Sequence, residues 1–300
     1  MKIYWIKFVA FLENMLSKLV YNFHKTITGV KSVNNIAYNK KPTRFNKLNI
    51  HYKEHNYLSG KKVPIIIYFH GGGWTNYNKD IFTTLNRRIA DMGYVVFSCN
   101  YGLSPKYKLD DIMNDCIQAV QYIVQIAHKY GGDLNQIYLA GDSAGAHISA
   151  MLCAYAKNDK KQMGTFADKI KGLILFYGVF NLKTALDSKF HNIRDYINAC
   201  TVNKIETEQW ESELEEFSPA LYDLTTFPPC FLASGEVDKL HDSQSLAFSK
   251  QLEENHVKTH TVFFDDKEYK AMHAFMVVDG ISTNVKVLSE LENFLAETTK

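Results

Sequence analysis

Ser143 stands in Gly141-Asp142-Ser143-Ala144-Gly145, with an apolar run before it and a helix-forming run after it. A serine hydroxyl is a weak nucleophile at neutral pH. To attack a carbonyl it needs a base within hydrogen-bond reach, a group that orients the base, and donors for the oxyanion that develops. The residue types for those parts recur elsewhere in the chain. His70-Gly71-Gly72-Gly73-Trp74 closes the most apolar run, and successive glycines let a backbone approach a ligand with its N–H groups turned inward. The N–H of Ala144, just after the serine, is a second source of such donors. Asp238 follows the apolar run 231–235 in "ASGEVDKLHD", and His273 follows 261–264 in "KAMHAFMV". Serine, aspartate and histidine thus appear in that order, each after a later strand-like run, which suits a nucleophilic triad built on one edge of a parallel sheet.

Other candidates read as structural. Asp242 suits the cap of the following helix, and Asp142 a hydrogen-bond partner beside the nucleophile. His147, one helical turn beyond Ser143, reads as a packed helix residue, and His70 as a brace for the glycine turn. His191 and His241 read as surface residues. Trp74, Tyr101, Tyr177 and Phe275 flank the motifs and are candidates for the wall of a substrate pocket, with core packing as the competing reading.

These residues can meet only if the strands before them lie side by side. "KLNIHYKE", "VPIIIYFH", "YVVFSCNY", "QIYLAG", "IKGLILFYGVF", "CFLASGE" and "KTHTVFFDD" read as strands, several apolar throughout and therefore buried on both faces. Between and after them "FTTLNRRIADM", "LDDIMNDCIQAVQYIVQIAHKYG", "AGAHISAMLCAYAKN", "DSQSLAFSKQLEENH" and "TNVKVLSELENFLAET" carry helical periodicity. The alternation predicts an α/β fold, a mostly parallel sheet with helices on both faces. It breaks twice, over residues 1 to about 45 and about 181 to 224, where "ETEQWESELEEF" reads as a helix. Both breaks are expected to form a cap over the carboxyl ends of the strands, where such sheets bind ligands. In the first, Ile3, Ile6, Val9, Leu12, Leu16 and Leu19 recur at helical spacing and predict an amphipathic helix packed on the protein. Surface association with a membrane and an uncleaved export signal are the alternatives for that helix. No run is long enough to span a bilayer, and no stable membrane anchor is expected.

Together HGGGW, GDSAG, DKLHD and HAF resemble the hormone-sensitive-lipase-like carboxylesterases of the α/β-hydrolase superfamily. The similarity runs from about residue 63 to the end, with "NYGLSP", "KYGGDLNQIYLAGDSAG" and "FSPALYDLTTFPP" in support. It implies a single α/β-hydrolase domain over residues 1–300 with a helical cap. It also implies Ser143 as nucleophile, His273 as base then acid, Asp238 as its orienting partner, and Gly72, Gly73 and Ala144 as oxyanion donors. The implied reaction is hydrolysis of short- to medium-chain carboxylic esters through an acyl-enzyme, with no metal or organic cofactor. Amide or formamide hydrolysis, carbohydrate deacetylation and a non-catalytic binding protein are the alternatives on the same fold. The chain departs from the family where D-Y-R-L-A-P becomes Asn100-Tyr101-Gly102-Leu103-Ser104-Pro105, and where His147 replaces a common Asn.

The composition is that of a globular protein: 46% hydrophobic and 22% charged residues over 300 positions. A net charge of +2 without a basic block leaves no footprint for nucleic acid. Five widely spaced cysteines with no CxxC argue against a metal or disulfide framework and for a reducing, cytoplasmic setting. The expected partner is a small-molecule ester, with the chain acting as a monomer or homodimer.

Overall fold

A computed structural model of the chain describes residues 27–40, 43–158, 164–203, 205–267 and 270–299. The amphipathic helix expected over the first two dozen residues lies outside them. Eight strands form one sheet: β1 (Val30–Ala37), β2 (Lys47–Lys53), β3 (Val63–Phe69), β4 (Val95–Cys99), β5 (Gly132–Asp142), β6 (Ile170–Phe176), β7 (Cys230–Gly235) and β8 (Thr259–Phe264). Their spatial order is β1-β2-β4-β3-β5-β6-β7-β8. β1 and β2 run antiparallel at one edge, and every pairing from β4 to β8 is parallel.

The apolar run of β3 is explained by its place in mid-sheet. Ile65, Ile67 and Phe69 enter one core layer, while Ile66 and Tyr68 enter the other. A short helix α1 (Glu54–Leu58) precedes β3, and α2 (Thr83–Asp91) covers one face of the sheet through Leu85 and Ile89. On the opposite face lie α3 (Leu109–Ile126) and α4 (Ala144–Lys157). α3 buries Leu109, Ile112, Met113, Cys116, Val120 and Ile123, the spacing that makes one apolar stripe per helix. Its first turn is closed by the Asp111 carboxylate, which accepts the Lys108 N–H at 3.0 Å.

The first break in the alternation is corrected in part. Residues 30–37 are not a cap element but the edge strand β1. The pairing with β2 slips between Val33 and Ile36, and Asn35 takes a φ of +61°. That bulge, with water on one side of the strand, destroys the two-residue period by which a strand is recognised. The second break, between β6 and β7, folds into three short helices: α5 (Leu182–Asp187), α6 (Ile193–Cys200) and α7 (Glu208–Glu216). After β7 the chain makes a single π-helical turn over His241–Leu246 before α8 (Ala247–Glu254), and α9 (Ser282–Thr298) follows β8 and enters the same core layer as α2.

Candidate active site

β5 ends at Asp142 and α4 begins at Ala144, so Ser143 alone makes the turn, at φ 49° and ψ −117°. A non-glycine residue held there stores roughly 1–3 kcal/mol of strain, which the surroundings must impose. They do so by close packing. A Cβ on Gly145 would stand 2.0 Å from the Phe69 carbonyl oxygen, and one on Gly141 would stand 2.3 Å from the Gly145 carbonyl carbon. The Ser143 N–H donates to the Phe176 carbonyl at 2.9 Å, which pins the elbow to the end of β6.

The structure brings Ser143, His273 and Asp238 together. Ser143 Oγ lies 2.9 Å from His273 Nε2, and His273 Nδ1 lies 2.7 Å from Asp238 Oδ2. With its proton on Nδ1, the imidazole donates to the carboxylate and accepts from the hydroxyl. The Asp238 side chain is buried and its other oxygen accepts the Leu240 N–H at 3.0 Å, so the carboxylate is aimed from both ends. Two aromatic rings meet the imidazole at steep angles, Tyr177 at 5.1 Å between centroids and Phe190 at 4.6 Å.

The glycine turn after β3 faces this triad. Gly72 takes φ +114°, and its carbonyl accepts the N–H groups of both Thr75 and Asn76. Asp142 ties this turn to the elbow: its Oδ1 accepts the Gly71 N–H and the Tyr68 hydroxyl, each at 2.8 Å. Burial pushes the Asp142 carboxyl up to about 7, against the pull of the Tyr68 and Gly71 hydrogen bonds and the field of His273. His70 braces the turn from behind, its Nδ1 donating to the Gly71 carbonyl at 2.7 Å. Burial holds His70 down at about 4, so the ring is neutral. Gly72, Gly73, Ser143, Ala144 and His273 all border one cavity of about 580 Å³.

A model of an α/β-hydrolase fold family matches residues 66–277. The chain belongs to that family. This α/β hydrolase is 27% identical over 240 residues to a probable carboxylic ester hydrolase, LipM, of Mycobacterium tuberculosis, covering 78% of this chain and 54% of that protein. It is 29% identical over 194 residues to a probable isoprenylcysteine alpha-carbonyl methylesterase of Oryza sativa subsp. japonica, covering 63% and 46% respectively. The chain spans about half the length of these curated relatives. Among solved structures, the inhibited esterase B of Lactobacillus rhamnosis matches with a TM-score of 0.81 at 20% identity, covering 99% of this chain and 97% of that one. A hyperthermophilic esterase of Pyrobaculum calidifontis matches with a TM-score of 0.78 at 19% identity, over 100% and 95%. At such identities the likeness is one of fold.

Of the four aromatic residues considered for the pocket wall, the α/β hydrolase places only Trp74 on the cavity. Tyr101 lies behind the glycine turn, stacked on the His70 ring and donating its hydroxyl to the His70 carbonyl at 2.6 Å. Tyr177 and Phe275 pack on each other behind His273. The walls instead come from residues without a motif, among them Phe82, Phe190, Tyr196 and Leu240. Their type is common and their spacing follows no period, so only the fold reveals them.

Two histidines are tied down more firmly than their sequence context suggests. His147 is fully buried, accepting the Trp74 indole N–H at Nδ1 (3.2 Å) and donating from Nε2 to the Phe217 carbonyl (2.7 Å). His241 is not a surface residue: it is buried, with Nδ1 2.7 Å from Ser234 Oγ and its ring edge-on to Phe263. His191 is exposed at the cavity rim. Asp242 is exposed in the first turn of the helix after Asp238, and makes no cap bond there. Where the family pattern has an Asp/Arg pair, Asn100 Oδ1 accepts the Lys79 N–H at 2.7 Å and its amide donates to the Arg44 carbonyl. A side chain at Gly102 would collide with the Tyr107 ring, which fills the vacated space.

Proposed function

We propose that this protein is a serine carboxylesterase acting on small carboxylic esters with short to medium acyl chains. The observation that carries the reading is the unbroken run Ser143–His273–Asp238, at 2.9 and 2.7 Å, opening on a cavity bordered by the glycine turn. Ser143 Oγ attacks the ester carbonyl as His273 Nε2 takes its proton. Asp238 holds the imidazole in the tautomer that can accept that proton and then offsets the positive charge it acquires. The backbone N–H groups of Gly72, Gly73 and Ala144 receive the oxyanion. Collapse of the tetrahedral intermediate passes the proton to the leaving alcohol and leaves an acyl-serine. Water, deprotonated by the same imidazole, releases the acid.

The substrate preference follows from the walls. Trp74, Phe82, Val179, Phe190, Leu240 and Val277 offer apolar surface to an acyl or alcohol group, and no cluster of cationic side chains faces the serine among the described residues. A volume of about 580 Å³ suits a small ester rather than a polymer. Residues 181–224 act as the cap over this cavity. Among the described residues no helix is long and apolar enough to cross a membrane. The five cysteines are buried and unpaired, which supports a reducing compartment.

Hydrolysis of p-nitrophenyl esters from acetate to long acyl chains tests the reading, with Ser143→Ala as control. Short and medium chains should turn over, and the variant should lose at least about 10³-fold in kcat while melting close to wild type. Turnover that persists in the variant, or a folded wild type inert to every ester, would end it.

A further inference from the structure

We infer that Phe190 and Tyr196, from one short stretch of the 181–224 segment, are positioning residues for ester cleavage. Phe190 fixes the tilt of the His273 imidazole, and Tyr196 fixes the left-handed turn at Gly73. The inference rests on the hydrolase reading above.

His273 is anchored at both ring nitrogens, by Asp238 at Nδ1 and Ser143 at Nε2. Two such bonds pin two points of a ring. Tilt about the line between them is left to whatever packs against the ring. The chain around His273 gives little help: Met272 before it is 63% exposed, and Ala274 after it sits at φ 66°. Tyr177, from the end of β6, supplies one contact. Phe190 supplies a second, with its ring centred 4.6 Å from the imidazole at 65°. A tilted imidazole keeps its hydrogen bonds in length but turns the Nε2 lone pair away from the serine proton, a misalignment that acts on the rate.

Six residues further on, the same stretch reaches the other half of the machinery. A Cβ on Gly73 would stand 2.6 Å from Tyr196 Cδ1 and 2.8 Å from Cγ, so the tyrosine ring occupies the place a side chain would take. Gly73 sits at φ +55°, with the tyrosine ring packed against its Cα. Tyr196 is itself held in α6, its N–H donating to the Asn192 carbonyl at 3.0 Å. Oxyanion donors act only when they are aimed before the reaction begins, so support of this kind counts in the transition state. Both rings also border the cavity, and lining it could be their whole role.

The two roles differ in what they change. Steady-state kinetics on p-nitrophenyl acetate, butyrate and octanoate would be measured for the wild type, Phe190→Ala, Phe190→Tyr, Tyr196→Ala and Tyr196→Phe. Expressing kcat per site titrated to completion with an irreversible organophosphonate keeps misfolded protein out of the comparison. Positioning predicts that each alanine variant loses at least about tenfold in kcat on all three esters alike, with KM within about threefold, and that the aromatic replacements recover most of the rate. Unchanged kcat on acetate with altered KM or chain-length preference would overturn the inference and leave both as wall residues. So would aromatic replacements that fail to recover the rate. A wild type that cleaves none of the three esters overturns the hydrolase reading itself, and the inference falls with it.

Discussion

Asp238 shows how much of the proposed chemistry depends on one side chain's two oxygens. Oδ1 is committed to the Leu240 N–H and Oδ2 to the imidazole. An asparagine of the same shape keeps its carbonyl oxygen on Leu240 and turns its NH₂ towards Nδ1. The imidazole must then accept at Nδ1 and carry its proton on Nε2, where it can no longer accept from Ser143. Asp238→Asn should therefore lower kcat roughly 10³- to 10⁴-fold with little change in melting temperature, as read by steady-state kinetics and thermal unfolding. A loss below about tenfold would remove Asp238 from its proposed role. The residues of this triad and of the glycine turn were legible in the sequence because each stands in the loop that follows a strand, at the end where a parallel sheet gathers its loops. Phe190 was not, because it lies in an irregular polar stretch and reaches His273 only through the path of the chain between β6 and α6.

At the level of elements, a strand was legible where burial on both faces or strict alternation marked it, as in β3. β1 was missed because a bulge and an exposed face remove that mark, and the start of β5 because only Gly132 and Asp133 pair with the first residues of β3 and residues 134–136 fall in a register shift. What joins the elements was less legible still. His147 lies on α4 yet bonds the glycine turn through Trp74 and the end of the 181–224 segment through Phe217. Three parts of the chain that border the cavity thus share one buried imidazole. His147→Phe keeps the bulk and leaves an indole N–H and a carbonyl unsatisfied, each costing about 1–3 kcal/mol when buried. The variant should lose several degrees in melting temperature, and its kcat should fall because Trp74 and the glycine turn move together. A variant as stable and as active as wild type would show that water or a neighbour replaces both bonds.

Across the whole molecule, buried titratable groups set how stability responds to acid. Burial holds His51 down at about 3 and His70 and His147 at about 4, and it lowers His241 as well. The unfolded chain takes up protons at these rings near pH 6.5 while the fold refuses them. Their contribution is complete above pH 6.5 and is lost as pH falls towards 4. Asp115 and Asp142, raised by burial, act in the opposite sense, their contribution being present in acid and lost as pH rises through the folded value, about 7 for Asp142. The histidines outnumber them, so stability should fall steadily between pH 6.5 and 4. His51 isolates the effect, because it lies on β2, does not border the cavity, and has no partner for Nε2 among the described residues. Its Nδ1 lies 2.8 Å from the Ser32 hydroxyl, which also accepts from Arg87. In His51→Leu the unfolding free energy from urea titrations should depend less steeply on pH, by up to about 1.4 kcal/mol per pH unit, the linkage value for one proton. Equal slopes in variant and wild type would mean that His51 gains its proton in the folded state, and that the pocket between β1 and α2 is wet enough to solvate the charge.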